Sequence, residues 1–288
     1  MQQSGAPCDF SGSDSWVILS PIEQSIKRKI EAVGTPLKDW DIQINYGIKT
    51  GYNEAFIIDT AKREDILSRC ADEDERARTA ELIRPILRGR DIKRYGYNWA
   101  NLWLINTHNG IKGKLDRIHI EDYPAVKAHL DQYWDKISKR ADKGETPYNL
   151  RNCAYLEDFS KPKILWKRVG SILRFAYNVN GSFGLDSTCF SIGDDVEYIC
   201  CVLNSPMGHY LLKDSPKTGT GDLLVSVQAI EPLRIPHISE YENKFFRTRL
   251  KKLINEESKA LEQEINQKVF DLYDLSLEER TYILENFS

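Results

Sequence analysis

The sequence lacks the cysteine and histidine spacings that mark metal sites and redox centres. Its six cysteines include no C-x-x-C pair, and Cys200 and Cys201 adjoin in the apolar run YICCVL, which is typical of small buried hydrophobes. Its five histidines include no H-E-x-x-H pair and none that a carboxylate frames as in a triad. We therefore expect no metal site, cofactor site or catalytic residue in this chain, and reduced thiols in a cytoplasmic protein.

Long apolar runs and a strong net charge are also missing. No stretch approaches the ~20 apolar residues that a membrane span needs, so we expect no membrane partner. The net charge is -3, so any contact with a nucleic acid has to rely on local basic patches. Residues 1–15 do not have the charged and apolar regions of a signal peptide. We expect a flexible lead there, or a cut made in a longer chain.

Hydrophobic periodicity predicts an α+β fold, with a mixed sheet body and packed helices followed by a helical C-terminal tail. Ser20, Pro21 and Glu23 form the capping signature of a first helix that ends at Gly34. Further helices are predicted over residues 61–83, 123–140 and 196–213. Strands are predicted over residues 41–44, 54–59, 101–107, 162–169, 173–179, 187–192 and 223–236, and the second is expected to return on the first as a hairpin-like unit.

The composition changes near residue 240. From Tyr241 onward apolar residues repeat at helical spacing, and Ser276 with Glu279 forms the capping signature of a last short helix. We therefore divide the chain into the lead over residues 1–15, a body over residues 16–238 and a helical segment over residues 239–288.

The stretch INYGIKTGYNEAFIID contains a glycine loop, residues 47–53, that could hold a phosphate. Its Lys-Thr pair lies between the glycines, which is the wrong order for a P-loop, and the following apolar run favours a strand over the helix of a dinucleotide site. Two interpretations remain. Gly47 and Gly51 supply turn conformations only, or the loop also presents Lys49, Thr50 and Asn53 to phosphates and base edges.

The stretch IRPILRGRDIKRY contains an arginine segment, residues 84–94, with five basic residues and one acidic residue. Arginine predominates over lysine, which favours bidentate recognition of phosphate or guanine. The alternatives are a solvated charge run and a structural ion pair between Arg90 and Asp91.

The stretch KPKILWKRVGSILRFAYN, residues 161–178, has five basic residues, no acidic residue and three interleaved aromatic residues. Aromatic side chains on one strand face and basic side chains on the other would give a sheet that packs on the core and faces phosphate. We find no N-P-P-Y-type motif of amino methylation and no carboxylate-lysine cluster of a nuclease. The pattern therefore favours a binding module over an enzyme.

In this order, GIKTGYNEAFIID, IRPILRGRDIKRY, YPAVKAHL, KPKILW, LNSPMGHYLL and EPLRIP resemble the TaqI-like C-terminal specificity domain. This family is the target-recognition region of restriction-modification enzymes, and the likeness runs from about Trp16 to the end. It implies a type II module that binds double-stranded DNA at a short sequence. The module would position an N-terminal adenine-N6 methyltransferase of the same polypeptide, with or without a nuclease. S-adenosylmethionine would bind that missing domain.

The resemblance also implies roles for single residues. Gly47, Gly51, Gly89 and Asp91 would shape the domain, and we expect the glycine loop and the arginine segment to be partners. The expected DNA-binding residues are Lys49, Thr50, Asn53, Arg88, Arg90, Lys93, Arg94, Lys167, Arg168, Arg174 and Lys217. Base-reading side chains are expected on the loops over residues 108–118 and 166–182 and near Lys217.

Two other functions stay open at this point. One is a free-standing nuclease or methyltransferase with an unrecognised active site. The other is a protein-interaction scaffold built on the helical tail.

Overall fold

The computed structural model describes residues 19–287, and the predicted flexible lead over residues 1–15 lies outside them. Between residues 19 and 287, no helix is both long and apolar enough to cross a membrane. The helices in this range are α1 (Pro21–Val33), α2 (Asn53–Phe56), α3 (Thr60–Ser68), α4 (Glu73–Leu82), α5 (Pro124–Asp131), α6 (Trp134–Ile137), α7 (Val196–Asn204), α8 (Pro206–Leu211), α9 (Val227–Ile230), α10 (Glu240–Asn255), α11 (Lys259–Leu272) and α12 (Leu277–Phe287). The strands are β1 (Gly34–Pro36), β2 (Ile42–Tyr46), β3 (Ile57–Asp59), β4 (Ile83–Leu87), β5 (Leu102–Ile105), β6 (Lys163–Lys167), β7 (Val169–Gly170), β8 (Phe175–Asn178), β9 (Phe183–Gly184), β10 (Thr188–Gly193), β11 (Leu223–Leu224) and β12 (Arg234–Pro236).

The central sheet has the strand order β2-β10-β6-β8, and every neighbouring pair is antiparallel. Successive side chains of a strand point to opposite faces. On β6, Ile164 and Trp166 accordingly join one hydrophobic core, while Leu165 between them joins the other. Strands β6, β8 and β10 of the central sheet are therefore buried on both faces, and this explains why Ile164, Leu165 and Trp166 form a continuous apolar run.

The core on one face, here called the tail-side core, contains the helical tail. Helices α10, α11 and α12 contribute Phe246, Val269 and Ile283, which are fully buried together with Tyr198 of α7. Ser239 caps α10 in a capping box, at the boundary that the change in composition predicted. The tail is thus packed on the body.

The core on the other face, here called the loop-side core, lies between the central sheet and a second sheet. The second sheet has the order β3-β5-β4-β9, in which only the β4–β9 pair is parallel. Its centre includes Phe56, Leu87, Phe159 and Phe190, all with 0 % of their surface exposed. Together the two cores confirm the predicted α+β class.

Some predicted elements are wrong in extent or pairing. Residues 54–59 do not return as a hairpin partner of β2, because a helical turn occupies Asn53–Phe56 and β3 pairs with β5 of the second sheet. The single helix predicted over 196–213 is interrupted at Ser205, which caps α8 with Pro206 in its first turn. The strand predicted over 223–236 is two short strands around α9.

The helices predicted over 61–83 and 123–140 are each two helices. Asp72 caps α4 after a break that follows α3, and α6 begins three residues after α5 ends. Local chain signals thus located these segments but not their interruptions.

Removing the Phe246 side chain should strongly destabilise the body as well as the tail. We expect Phe246→Ala to lower the free energy of unfolding by about 3–5 kcal/mol, because it leaves a cavity in the tail-side core. The matched control is Tyr241→Ala on the same helix, where the side chain is 84 % exposed, with an effect within about 0.5 kcal/mol. Urea unfolding monitored by fluorescence measures both. A small effect of Phe246→Ala would show that the tail does not share the core.

Lys163, at the start of β6, is fully buried without a carboxylate among its hydrogen-bond partners. Its ammonium donates to the Phe159 carbonyl (2.6 Å) and to Asn178 Oδ1 (3.0 Å). Burial, with a smaller contribution from Arg84, lowers the pKa of Lys163 to about 7.

This lowered pKa predicts stability that rises with pH. In the unfolded chain a lysine has a pKa of ~10.4, so between pH 7 and that value the unfolded state binds more protons than the folded state. We expect the free energy of unfolding to increase from pH 7 to pH 9, and Lys163→Met to reduce that increase. Guanidinium unfolding at both pH values tests this. The quantity compared is the slope of the free energy of unfolding against pH, in the unsubstituted chain and in the variant. Lost hydrogen bonds lower the free energy of the variant at both pH values alike and leave this slope unchanged. Equal slopes would contradict the prediction.

Candidate nucleic-acid interface

A tight turn between β9 and β10, residues 184–188, anchors the glycine loop. The backbone N–H of Gly47 donates to the Thr188 carbonyl (3.0 Å), and that of Ile48 donates to the Gly184 carbonyl (2.7 Å). A Cβ on Gly47 would lie 1.9 Å from a carbonyl oxygen of the turn, so only glycine permits this approach. The 184–188 turn thus holds the glycine loop by its backbone.

The arginine segment reaches the same turn. Leu185 donates its N–H to the Leu87 carbonyl (2.9 Å), and Gly89 donates its N–H to Ser187 Oγ (3.2 Å). The Ser187 carbonyl accepts from the N–H of Arg168, just after β6 (3.0 Å). The expected partnership of the two motifs is therefore present, and it is mediated by the 184–188 turn.

Two adjoining clefts open beside this turn, each with a volume of about 600 Å³. They share a wall, residues 152–154. The first cleft is otherwise lined by residues 46–49, Arg151, Tyr155, Arg168 and Asp186. The second is otherwise lined by residues 109–113, 115–117, His119 and Glu145. The first cleft has three basic residues and one acidic residue in its lining, so it favours an anionic ligand.

A buried arginine, Arg140, holds the far end of the glycine loop. Its guanidinium donates to four backbone carbonyls and lies 4.5 Å from the centre of the Phe56 ring. The four acceptors belong to Thr50, Asp142, Pro147 and Asn149. Burial lowers the pKa of Arg140 to about 10. Gly51 follows in the left-handed region with φ +71°, so the glycine loop is closed by a residue that tolerates this conformation.

Asp142 pairs with two basic side chains that line the first cleft. Its carboxylate lies 2.7 Å from Lys49 Nζ and 3.3 Å from Arg151 Nη1. The hydrogen bond from Lys49 lowers the pKa of Asp142, against the opposing effect of its partial burial. Asp142 thereby keeps two cations at the edge of this cleft in fixed positions.

The structure does not present Thr50 to solvent, contrary to the prediction. The side chain is 1 % exposed, its hydroxyl donates to Asn53 Oδ1 (2.6 Å), and its carbonyl accepts from Arg140. Asn53 itself is exposed at the start of α2. Thr50 therefore stabilises the glycine loop, while Lys49 and Asn53 remain accessible.

The arginine segment divides into residues with different surroundings. Arg88 forms a bidentate pair with buried Asp91, at 2.7 and 3.0 Å, so the structural ion pair uses Arg88 and not Arg90. The hydrogen bonds that Arg88 donates to Asp91 raise the pKa of Arg88. Arg90 is exposed.

Arg94 lies at the helical tail and not at the clefts. It donates twice to the Asn204 carbonyl (2.7 and 3.2 Å) and once to Glu262 of α11 (3.2 Å). Lys93, next to it, is half-buried. Carboxylates and backbone carbonyls of the fold thus engage the guanidinium groups of both Arg88 and Arg94.

The predicted basic residues at the end of β6 and after it differ in exposure, and Arg168 is half-buried. Lys167 and Arg174 are exposed, and the Arg168 guanidinium lies 6.0 Å from the centre of the Tyr46 ring. Strand β7 pairs with β11, and Leu223 of β11 also bridges to Lys217, so the Lys217 hairpin adjoins this region. Only Arg168 of this group lines a cleft.

Sequence reasoning missed Arg140, Asp142, Arg151 and the 184–188 turn. The run DKGETP marks a loop, yet no spacing distinguishes a single arginine that caps carbonyls from an ordinary surface arginine. The loop over residues 108–118, predicted to read bases, does line the second cleft.

No reactive thiol or metal cluster is present among the described residues. Burial raises the pKa of Cys153 to about 11 and that of Cys189 to about 12, so both stay protonated at neutral pH. Between residues 19 and 287, no three side chains of histidine, cysteine, aspartate or glutamate are placed to hold a metal ion.

Comparison with known proteins gives one family match. The model of the TaqI-like C-terminal specificity domain matches residues 84–231, just over half of the chain. The Type II methyltransferase M.PaeR7I of Pseudomonas aeruginosa is 22% identical over 277 residues, which are 94% of this chain and 45% of that protein. The chain thus spans less than half the length of this curated relative.

Two solved structures share the fold. The Type IIL restriction-modification enzyme MmeI in complex with DNA matches 88% of this chain and 36% of its own, with a TM-score of 0.60 and 12% identity. The type IIG restriction endonuclease BpuSI matches 92% of this chain and 33% of its own, with a TM-score of 0.51 and 14% identity.

Replacing Arg140 should release the glycine loop. Lysine keeps the charge but has one donor atom, which cannot reach carbonyls spread around a planar fork. We expect Arg140→Lys to lower the free energy of unfolding by about 2–4 kcal/mol and to speed amide hydrogen exchange over residues 47–53. The control is Lys139→Arg at the exposed neighbouring position, which should change neither quantity. Unchanged exchange in Arg140→Lys would contradict the role of this side chain.

Proposed function

Because the chain belongs to the family of TaqI-like C-terminal specificity domains, we propose that it recognises a short sequence in double-stranded DNA for a type II restriction-modification enzyme. The observation that carries this proposal is the first cleft. Beside it, the glycine loop and the arginine segment both form hydrogen bonds with the 184–188 turn. Three basic side chains line this cleft.

The basic residues at and around the first cleft suit contacts to DNA phosphates. Lys49, Arg151 and Arg168 line it, and Lys167 and Arg90 lie exposed on the adjoining segments. Such contacts fix the position and orientation of a protein on the duplex, without reading its sequence. We assign affinity mainly to these side chains.

The remaining predicted DNA-binding residues differ in exposure and in their contacts within the fold. Asn53, Arg174 and Lys217 are exposed and stay candidates for peripheral contacts, and half-buried Lys93 is a weaker one. We withdraw Thr50, Arg88 and Arg94 from direct DNA contact, because the fold itself uses their polar groups.

We assign sequence discrimination to the second cleft and its wall. Side chains there are polar and of both signs, and the loop over residues 109–119 supplies most of them. Base edges in the major groove present patterns of donors and acceptors, so a mixed polar lining is better suited to reading them than a purely basic one.

We assign catalysis to other parts of the same polypeptide. An adenine-N6 methyltransferase that uses S-adenosylmethionine, with or without a nuclease, would act on the sequence that this chain holds. The target adenine has to leave the helix before it can be methylated, so the specificity module has to fix the duplex while the base turns out. No residue of this chain is assigned to cofactor binding, and a cytoplasmic location stays a prediction from the cysteine pattern.

Selection from randomised duplex DNA tests the proposal. We expect the chain to enrich one short motif, and its affinity for that motif to fall steeply with salt concentration. Failure to enrich any motif, or binding that ignores salt, would contradict the proposal. Incubation of the chain with DNA, S-adenosylmethionine and magnesium should give no methylation or cleavage. Turnover would contradict the assignment of catalysis to other parts of the polypeptide.

Single charge removals should change the salt dependence in a countable way. Each phosphate contact contributes ~0.9 to the slope of log affinity against log salt concentration. We expect Arg168→Gln and Lys167→Gln each to make the slope shallower by ~0.9. Lys252→Gln removes the same charge from exposed α10 in the helical tail, away from the clefts, and should leave the slope unchanged. A change of similar size for Lys252→Gln would place the DNA on the tail.

A further inference from the structure

The wall between the two clefts contains an amide whose orientation the fold determines. Asn152 is exposed, lines both clefts, and forms one hydrogen bond among the described residues, with Asn109. Either end of an amide can face a neighbouring amide, so this contact alone leaves the orientation of both groups open.

A backbone group removes this ambiguity. The N–H of Glu145 contacts Asn109 Oδ1 at 2.7 Å, and a backbone N–H can only donate. Asn109 Oδ1 is therefore the acceptor, and the amino group of Asn109 points to Asn152. It follows that Asn109 Nδ2 donates to Asn152 Oδ1. The free end of Asn152 is then its amino group.

The Asn109 side chain is held in place by close packing. A Cβ on Gly144 would lie 2.4 Å from Asn109 Oδ1 and 2.6 Å from its Cγ, so the backbone before Glu145 lies directly against the amide. Glu145 also pairs through its carboxylate with Arg117 of the second cleft, at 3.3 Å. The two hydrogen bonds that connect Glu145, Asn109 and Asn152 are here called the Glu145–Asn109–Asn152 relay, and the packing of the loop holds them in place.

We propose that Asn152 reads a base through its amino group and selects a keto base, guanine or thymine, at one position of the recognised sequence. This rests on the proposed function. Guanine O6 and thymine O4 are acceptors in the major groove, whereas cytosine and adenine present amino donors at the corresponding place. Both purines also have the acceptor N7, so the contact that distinguishes guanine from adenine is the one at O6. The nearby Arg151 is held by Asp142, which leaves Asn152 as the uncharged donor at the wall.

Two isosteric substitutions test this proposal in the full 288-residue chain. Asn152→Asp keeps the acceptor for Asn109 and replaces the free amino group by a carboxylate oxygen. Asn109→Asp still accepts from Glu145 but presents an oxygen to Asn152, so the Asn152 amide has to turn and expose its carbonyl. Asn109 acts here as a positioning residue that does not touch the base.

Both variants should change the base preference in the same way. In selections from randomised duplex DNA, we expect one position to switch from guanine or thymine to adenine or cytosine, while all other positions keep their preference. Affinity for the original motif should fall about 5- to 150-fold, as expected for the loss of one base-specific contact. Asn98→Asp adds the same charge at an exposed position outside both clefts and should leave the motif unchanged.

The outcomes separate this inference from the proposed function. If the unsubstituted chain enriches no motif, the proposed function is wrong. If it enriches a motif that both variants retain, or if a variant with native circular dichroism loses preference at every position, the assignment of Asn152 is wrong. If Asn152→Asp does not fold, the switch or its absence in Asn109→Asp decides the question.

Discussion

Burial of the central sheet on both faces is the constraint on which the rest of the structure depends. Alternate residues of β6 supply the two cores, so neither face is free to bind a ligand, and only strand ends and connecting loops remain accessible. The 184–188 turn is such a connection, between β9 of the second sheet and β10 of the central sheet. Because it joins the two sheets, segments that dock on it are fixed relative to both cores. The clefts thus form beside the connection between the two sheets, where backbone polar groups of the loops are not covered by the cores.

Charged side chains around the clefts have two different roles. Buried Arg140 and the Arg88–Asp91 pair hold loops, because backbone carbonyls accept from Arg140 and the Asp91 carboxylate accepts from Arg88. Lys49, Arg151 and Arg168 instead line open space, and Asp142 restrains the first two. A binding partner with phosphates would meet cations that are already positioned, which reduces the ordering cost of association. The modest net charge of -3 is therefore compatible with a local anion site.

Much of the fold could be predicted from local signals, because capping residues and periodicity are properties of short segments. Ser20 with Glu23, and Ser276 with Glu279, cap helices that begin where the sequence indicated. The pairing of β3 with β5 could not be predicted, since strand partners depend on contacts distant in the chain. For the site, basic residues such as Lys49 and Arg168 were identified by the local composition. Arg140 and the Glu145–Asn109–Asn152 relay were not, because carbonyl acceptors and loop packing leave no pattern of residue types.

Mapping where DNA protects the chain is the most direct measurement of the central claim, that the paired clefts beside the 184–188 turn hold the duplex. Amide hydrogen exchange would be compared for the free chain and for the chain saturated with its selected duplex. We expect slower exchange over residues 46–49, 109–119, 151–155 and 184–188, with helices α10–α12 unchanged. Protection confined to α10–α12, with these segments unaffected, would contradict it.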